Sequence, residues 1–416
     1  MTTLTLVPAQ PTNFWSFVRR ELRPKGKVLT PFNVVSVLIM AAAAVILTVR
    51  FAYGLGSVSN VNQEFPWGLW KGFNVMAGVA LAGGAYVVTF LAYILNLKEY
   101  RAIVRVTVLN GFLAYVFYAG ALVLDLGRPW NIINPIIGNS FGFGSVLFLV
   151  SWHFMLYMAA QFIELSPTFA EWLGLKRIQK VLAGLTVGAV VFGITLSTLH
   201  QSALGALYLM AKPKIHPLWY SEFIPILFFI SSIYAGLCMV IFEGGISRRV
   251  FHHRMSPALL RTHDTLMVRL ASMAAATMFV YLFLEGFKFL HGRLWLAFTG
   301  GWAAWYLVEI LGFVAVPMVL LFRGSVTRHM GMIRLGGVMA MIGVILNRLN
   351  ISVIAFKWYA PAHYVPSWME IVVSAAVICV EIWVFRWIVL RMNILGTEHA
   401  HEQPVRAARP SQRLAV

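Results

Sequence analysis

Eleven charged or titratable side chains in the long apolar stretches of this 416-residue chain stand out: Arg50, Asp125, His153, His200, Glu243, Arg269, Glu285, Glu309, Arg348, Glu381 and Arg386. Placing such a group in hydrocarbon costs roughly 2.5–3.5 kcal/mol on insertion scales, so each is a candidate for chemistry. They lie at many depths instead of forming one ring, which suits stepwise proton movement better than an ion-selective pore. Glu243 (in Phe242-Glu243-Gly244-Gly245), Glu309, Glu381 and His153 are the relay candidates, with Arg269 or Arg386 as a counter-ion for Glu243. The alternative for each carboxyl is a buried interhelical hydrogen bond. For Arg386 the alternative is a snorkelling side chain.

A second group gathers near one set of helix ends, beside two polar segments, Asp125-Leu-Gly-Arg128-Pro-Trp130 and His200-Gln201-Ser202-Ala-Leu-Gly205. A quinone head needs a proton or hydrogen-bond donor at each carbonyl within an apolar cleft. Asp125 and His200 are the donor candidates, with Arg128 and Gln201 beside them, and Arg128 can hold Asp125 ionised. The alternatives are an Asp125–Arg128 ion pair at a helix end and a histidine bonded to backbone.

Ten apolar runs must position these groups: Phe32–Gly56, Gly68–Leu97, Ala102–Leu126, Gly142–Ile163, Ile178–His200, Glu222–Gly245, Leu266–Phe289, Gly301–Phe322, Leu335–Phe356 and Trp368–Leu390. Each is long enough for a bilayer core of about 20 residues, and each is continuously apolar, which predicts helices and not barrel strands. The chain is 60% hydrophobic and 12% charged, with mean hydropathy +0.77. Soluble domains average about 25% charged residues.

Of the 33 Lys and Arg, 22 fall on one set of alternating connections and both tails, 7 on the other set, and 4 within spans. That split makes the richer side cytoplasmic, accounts for the net charge of +18, and leaves no call for a nucleic-acid partner. The expected fold is therefore an all-α integral membrane protein of about ten transmembrane helices with both termini cytoplasmic. Residues 1–31 form a cytoplasmic segment, 32–391 the membrane domain, and 392–416 a cytoplasmic tail, with 1–13 and 396–416 expected to lack order. The first span is expected to be an uncleaved anchor.

Two cysteines, Cys238 and Cys379, are too few for an iron–sulfur cluster, which takes about four thiolates. Haem is not expected either, because no second deep histidine matches His153. Nine of the 14 tryptophans (Trp67, Trp70, Trp130, Trp219, Trp295, Trp302, Trp305, Trp358 and Trp368) are placed at the outer ends. They form either an interfacial belt or a docking surface.

Taken together, Phe65-Pro66-Trp67-Gly68-Leu-Trp70, Gly78-Val-Ala-Leu-Ala-Gly83-Gly84, Asp125-Leu-Gly127-Arg128-Pro-Trp130, Leu199-His200-Gln201-Ser202, His216-Pro-Leu-Trp219 and Phe242-Glu243-Gly244 resemble the NrfD/polysulfide-reductase family of membrane subunits. The resemblance covers roughly residues 30–390 and is nearest the HybB-type branch, which serves periplasmic [NiFe]-hydrogenases. It implies a haem-free subunit in the bacterial inner membrane. It also implies a periplasmic iron–sulfur partner, through it a [NiFe]-hydrogenase, and menaquinone or ubiquinone as exchangeable substrate. Asp125 and His200 match the family's motif positions, and Glu243 matches an acidic position associated with proton passage. One departure stands out: where some HybB-type members carry a glutamate after a Ser-Val-Leu-Phe run, this chain has Leu149, with His153 one turn on.

Three rivals remain at this stage: a secondary transporter, a passive anchor and a haem cytochrome b. The transporter reading draws on a faint repeat, Pro217-Leu-Trp219 with Glu222 against Pro366-Ser-Trp368 with Glu370.

Overall fold

The computed structural model describes residues 14–134, 142 and 144–395. The tails expected to lack order fall outside the described residues.

Ten helices among the described residues are long and apolar enough to cross a bilayer. An amphipathic helix that the sequence did not announce, α1 (Phe14–Leu22), precedes them. The spans are α2 (Pro31–Tyr53), α3 (Trp70–Ile94), α4 (Lys98–Asp125), α5 (Val146–Trp172), α6 (Lys176–Lys214), α7 (Ile224–Arg254), α8 (Pro257–His291), α9 (Gly300–Thr327), α10 (Met330–Ile354) and α11 (Trp368–Val389). Several starts are fixed by capping, in which a side chain takes up a free N–H of the first turn. Thr30 accepts from the Asn33 N–H ahead of Pro31, and Ser256 accepts from the Leu259 N–H ahead of Pro257. Ser367 and Glu370 form a reciprocal capping box at α11.

α3 and α7 are largely buried and form the centre of the bundle. They touch backbone to backbone. A Cβ on Gly236 of α7 would lie 2.0 Å from the Gly84 nitrogen of α3, and one on Gly84 would lie 2.7 Å from the Gly236 oxygen. Small residues permit that approach between membrane helices.

Five wider, π-helical segments interrupt the spans: Trp70–Gly78 and Phe90–Ile94 in α3, Tyr115–Ala119 in α4, Val308–Ala315 in α9 and Asn350–Ile354 in α10. Such turns re-aim side chains and are frequent at functional sites.

The connections at the Asp125 end are knitted together. The Lys357 N–H donates to the Lys214 oxygen at 2.5 Å, the His216 N–H to the Ala355 oxygen at 2.9 Å, and the Asn60 amide to the Val365 oxygen at 2.9 Å. At the opposite end Arg391 ties α1 to α11 through the Glu21 and Arg23 carbonyls, so the first and last described elements meet there. The faint internal repeat is not structural. Glu222 is an exposed partner of Lys212, whereas Glu370 is fully buried.

Candidate functional site

The polar side chains resolve into four clusters. At the end of α4, Asp125 is buried and pairs with Lys71 Nζ at 2.7 Å. Arg50 of α2 is buried beside it. Its Nε donates to the Leu124 oxygen at 2.7 Å, and a second guanidinium nitrogen donates to the Leu126 oxygen. Arg128 stands exposed, heading the turn Pro129–Ile133. The expected Asp125–Arg128 pair is thus replaced by one with Lys71. The π segment at the start of α3 carries Lys71, and spacing in α4 gave no hint of it. Next to this cluster lies Glu370, saturated with donors: Tyr364 Oη at 2.6 Å, the Ser367 N–H at 2.8 Å, Ser59 Oγ at 2.9 Å and the Asn60 N–H at 3.3 Å.

The second cluster lies between α3, α4, α5 and α6. His200 Nδ1 faces the Val150 oxygen at 3.2 Å. A carbonyl only accepts, so Nδ1 carries the proton, and Nε2 of the neutral ring is a buried acceptor without a protein partner. His200 is therefore an acceptor towards the pocket until it gains a second proton, not the ready donor that the sequence suggested. Gln201 donates to the Val79 oxygen of α3 at 3.1 Å, leaving its own Oε1 free. Tyr115 and Phe154 pack on the His200 ring at 5.7 and 6.2 Å. His153 lies within electrostatic reach of His200 on the neighbouring helix.

The third cluster lies deeper. Glu243 accepts from the Asn110 amide and borders two cavities of about 20 and 30 Å³, room for one or two waters each. One is shared with Glu381 and Tyr118, the other with Ser247 and His263. His263 Nε2 faces the Gly244 oxygen at 3.1 Å and Nδ1 faces Asp264 Oδ1 at 3.1 Å. The sequence placed His263 in a connection, but α8 begins earlier than the apolar run and carries it inside. Arg269 pairs with the exposed Glu99 and Arg386 with Asn33 of α2 at 2.8 Å. Neither is the expected counter-ion of Glu243.

The fourth cluster is built around Glu309. Glu309 accepts from Trp219 Nε1 at 2.6 Å, Asn347 at 2.7 Å and Asn350 at 2.5 Å, and it lines neither Glu243 cavity. Arg348 donates to Ser231 Oγ at 2.6 Å and stacks 3.5 Å over Phe228. Glu285 and Lys288 form a buried pair at 2.5 Å, capped by Tyr306. Above them His216 is boxed by Trp219, Trp302 and Trp358, with centroids 5.6, 5.0 and 4.8 Å away. Burial pushes its imidazole down to about 4. Trp70 and Trp219 are core residues, so the exposed tryptophans at this end are Trp130, Trp295, Trp358 and Trp368.

Ten apolar helices enclosing acid–base clusters at several depths define a multi-pass integral membrane protein. The chain belongs to the polysulphide reductase NrfD family, whose pattern matches residues 57–356. A Nitratidesulfovibrio vulgaris protein is 40% identical over 370 residues, covering 88% of this chain and 95% of its own. The probable Ni/Fe-hydrogenase 2 b-type cytochrome subunit of Escherichia coli is 29% identical over 382 residues, 89% of this chain and 94% of that one. The integral membrane subunit of a menaquinone reductase from N. vulgaris is 26% identical over 360 residues, 77% and 80% of the two chains.

Proposed function

We propose that this chain is the quinone-reactive membrane subunit of a periplasmic oxidoreductase, of [NiFe]-hydrogenase type, in the bacterial inner membrane. An iron–sulfur partner docks on the Asp125 end, over the exposed tryptophans, and passes electrons to menaquinone or ubiquinone held beneath. The 22-to-7 charge split makes that end periplasmic and both termini cytoplasmic. Similarity over most of the chain to a hydrogenase 2 subunit and to a menaquinone reductase subunit supports the assignment.

The observation that carries the reading is the pairing of a buried Asp125–Lys71–Arg50 group with the unpartnered Nε2 of His200. Gln201 links His200's helix to α3, the helix that also carries Lys71. These groups meet the two ends of a quinone head. Lys71 donates to one oxygen. His200, once protonated, donates to the other. Two electrons and two protons convert quinone to quinol. Protons drawn through Glu243 and Glu381 come from the cytoplasmic side, and each charge so moved is worth about 2.3 kcal/mol per 100 mV.

The test is hydrogen-driven reduction of a short-chain naphthoquinone by the purified complex, comparing wild type with Asp125→Asn and His200→Ala. Both variants are expected to assemble and keep dye reduction but lose quinone reduction. Wild-type activity in both variants would make the pocket structural. An inactive wild type would point to a different periplasmic electron donor.

A further inference from the structure

We infer that Glu164 is the entry point of a second proton route, which runs along the α5–α6 seam to His200 and is separate from the Glu243–Glu381 cavities. The inference rests on the quinone reading above. Glu164 lies just past the apolar run, which ends at Ile163, but α5 continues two turns further, to Trp172.

Glu164, Gln161 and Tyr157 fall on one stripe of α5 at helical spacing. They line a cavity of about 10 Å³ against Val190 and Gly193 of α6, room for about one water. Glu164 Oε1, Gln161 Oε1 and His200 Nε2 are all buried without a protein partner. A buried polar atom left unpaired costs about 1–3 kcal/mol. Three of them along one seam of an apolar helix pair mark a hydrated column. Gln161 Nε2 donates to Tyr157 Oη at 3.2 Å, which leaves the Tyr157 proton free to point onward. Ser197 faces Tyr157 and lies one turn from His200 on α6. Tyr93 is within electrostatic reach of Glu164 and half-buried at the rim opposite Asp125.

The proton balance closes. His200 as imidazolium gives its Nε2 proton to a reduced quinone oxygen. A water at the unpartnered Nε2 returns a proton to it and takes one from Ser197, which takes one from Tyr157. The cavity water reprotonates Tyr157, Glu164 reprotonates the water, and solvent at the Tyr93 rim reprotonates Glu164. One proton enters for each delivered, and the electrons come from the iron–sulfur partner.

The purified complex is reduced with one equivalent of titanium(III) citrate and mixed with a short-chain naphthoquinone while iron–sulfur reoxidation is followed. Glu164→Gln and Tyr157→Phe are expected to slow reoxidation at least tenfold without changing quinone affinity, since a positioned proton relay contributes about 10²–10⁴. Glu164→Asp should recover part of the rate. A small weak acid, azide, should rescue Glu164→Gln, an effect that a merely structural role would not produce. If wild type reoxidises quickly and Glu164→Gln matches it, or if azide leaves the slow variant slow, the route is wrong and the quinone reading stands. If the wild-type complex is not reoxidised by the quinone at all, the quinone reading itself fails.

Discussion

Glu309 and Glu243 are both glutamates buried in apolar helices, yet their surroundings differ in kind. Glu309 accepts three hydrogen bonds, from a tryptophan and two asparagines on other elements. Glu370, at the same end of the bundle, accepts four. Glu243 has the Asn110 amide and two water-sized cavities. A carboxylate held by three or four fixed donors is well suited to holding helices together. One that borders a cavity keeps a free direction for transfer. Satisfaction of hydrogen bonds, more than depth, distinguishes the surroundings of these glutamates.

Four measurements can sharpen or break that contrast. The largest effect is expected for Glu309→Ala, which strands three buried donors at a cost of about 3 kcal/mol or more. Monodisperse protein in detergent should fall sharply, and normal yield with an unchanged melting temperature would keep Glu309 among the relay candidates. Gly236→Ala should follow, because its methyl would meet Gly84 backbone; overpacking costs about 1–3 kcal/mol and should appear as a lower thermal midpoint. Glu243→Gln should keep the wild-type midpoint while quinone reduction drops at least tenfold. Equal loss of stability in Glu309→Ala and Glu243→Gln would erase the distinction.

The smallest effect concerns His216. Its folded value, about 4, lies below the usual 6.5, so the folded state resists protonation. Stability from this site is complete above about 6.5 and is lost as the pH falls towards 4. Tryptophan fluorescence from Trp219, Trp302 and Trp358 should report that loss across the window. A flat signal in wild type, or one unchanged in His216→Phe, would contradict it.

Much of this was legible in the residues. Ten runs gave ten helices, because hydrocarbon leaves a long backbone few other ways to satisfy itself. Asp125, His200 and Glu243 were legible because a charge inside an apolar run is costly. Their partners were not. Lys71 and Asn350 sit in π-helical segments, whose register no hydrophobic period reveals. Glu164 and His263 lie where helices outrun their apolar cores, so a hydropathy boundary put them outside. Arg269 and Arg128 looked internal or paired by spacing, whereas both reach water at the bundle's ends. Sequence position gave depth, and direction around the helix came only with the fold.

The most direct test is photolabelling of the intact complex with an azido-naphthoquinone, followed by peptide mapping. Label on the α3, α4 and α6 peptides around Lys71, Asp125 and His200, displaced by excess unlabelled quinone, is the predicted result. Displaceable label confined to the Glu309 and Arg348 peptides of α9 and α10 would contradict it and place the quinone in the cluster assigned here to structure.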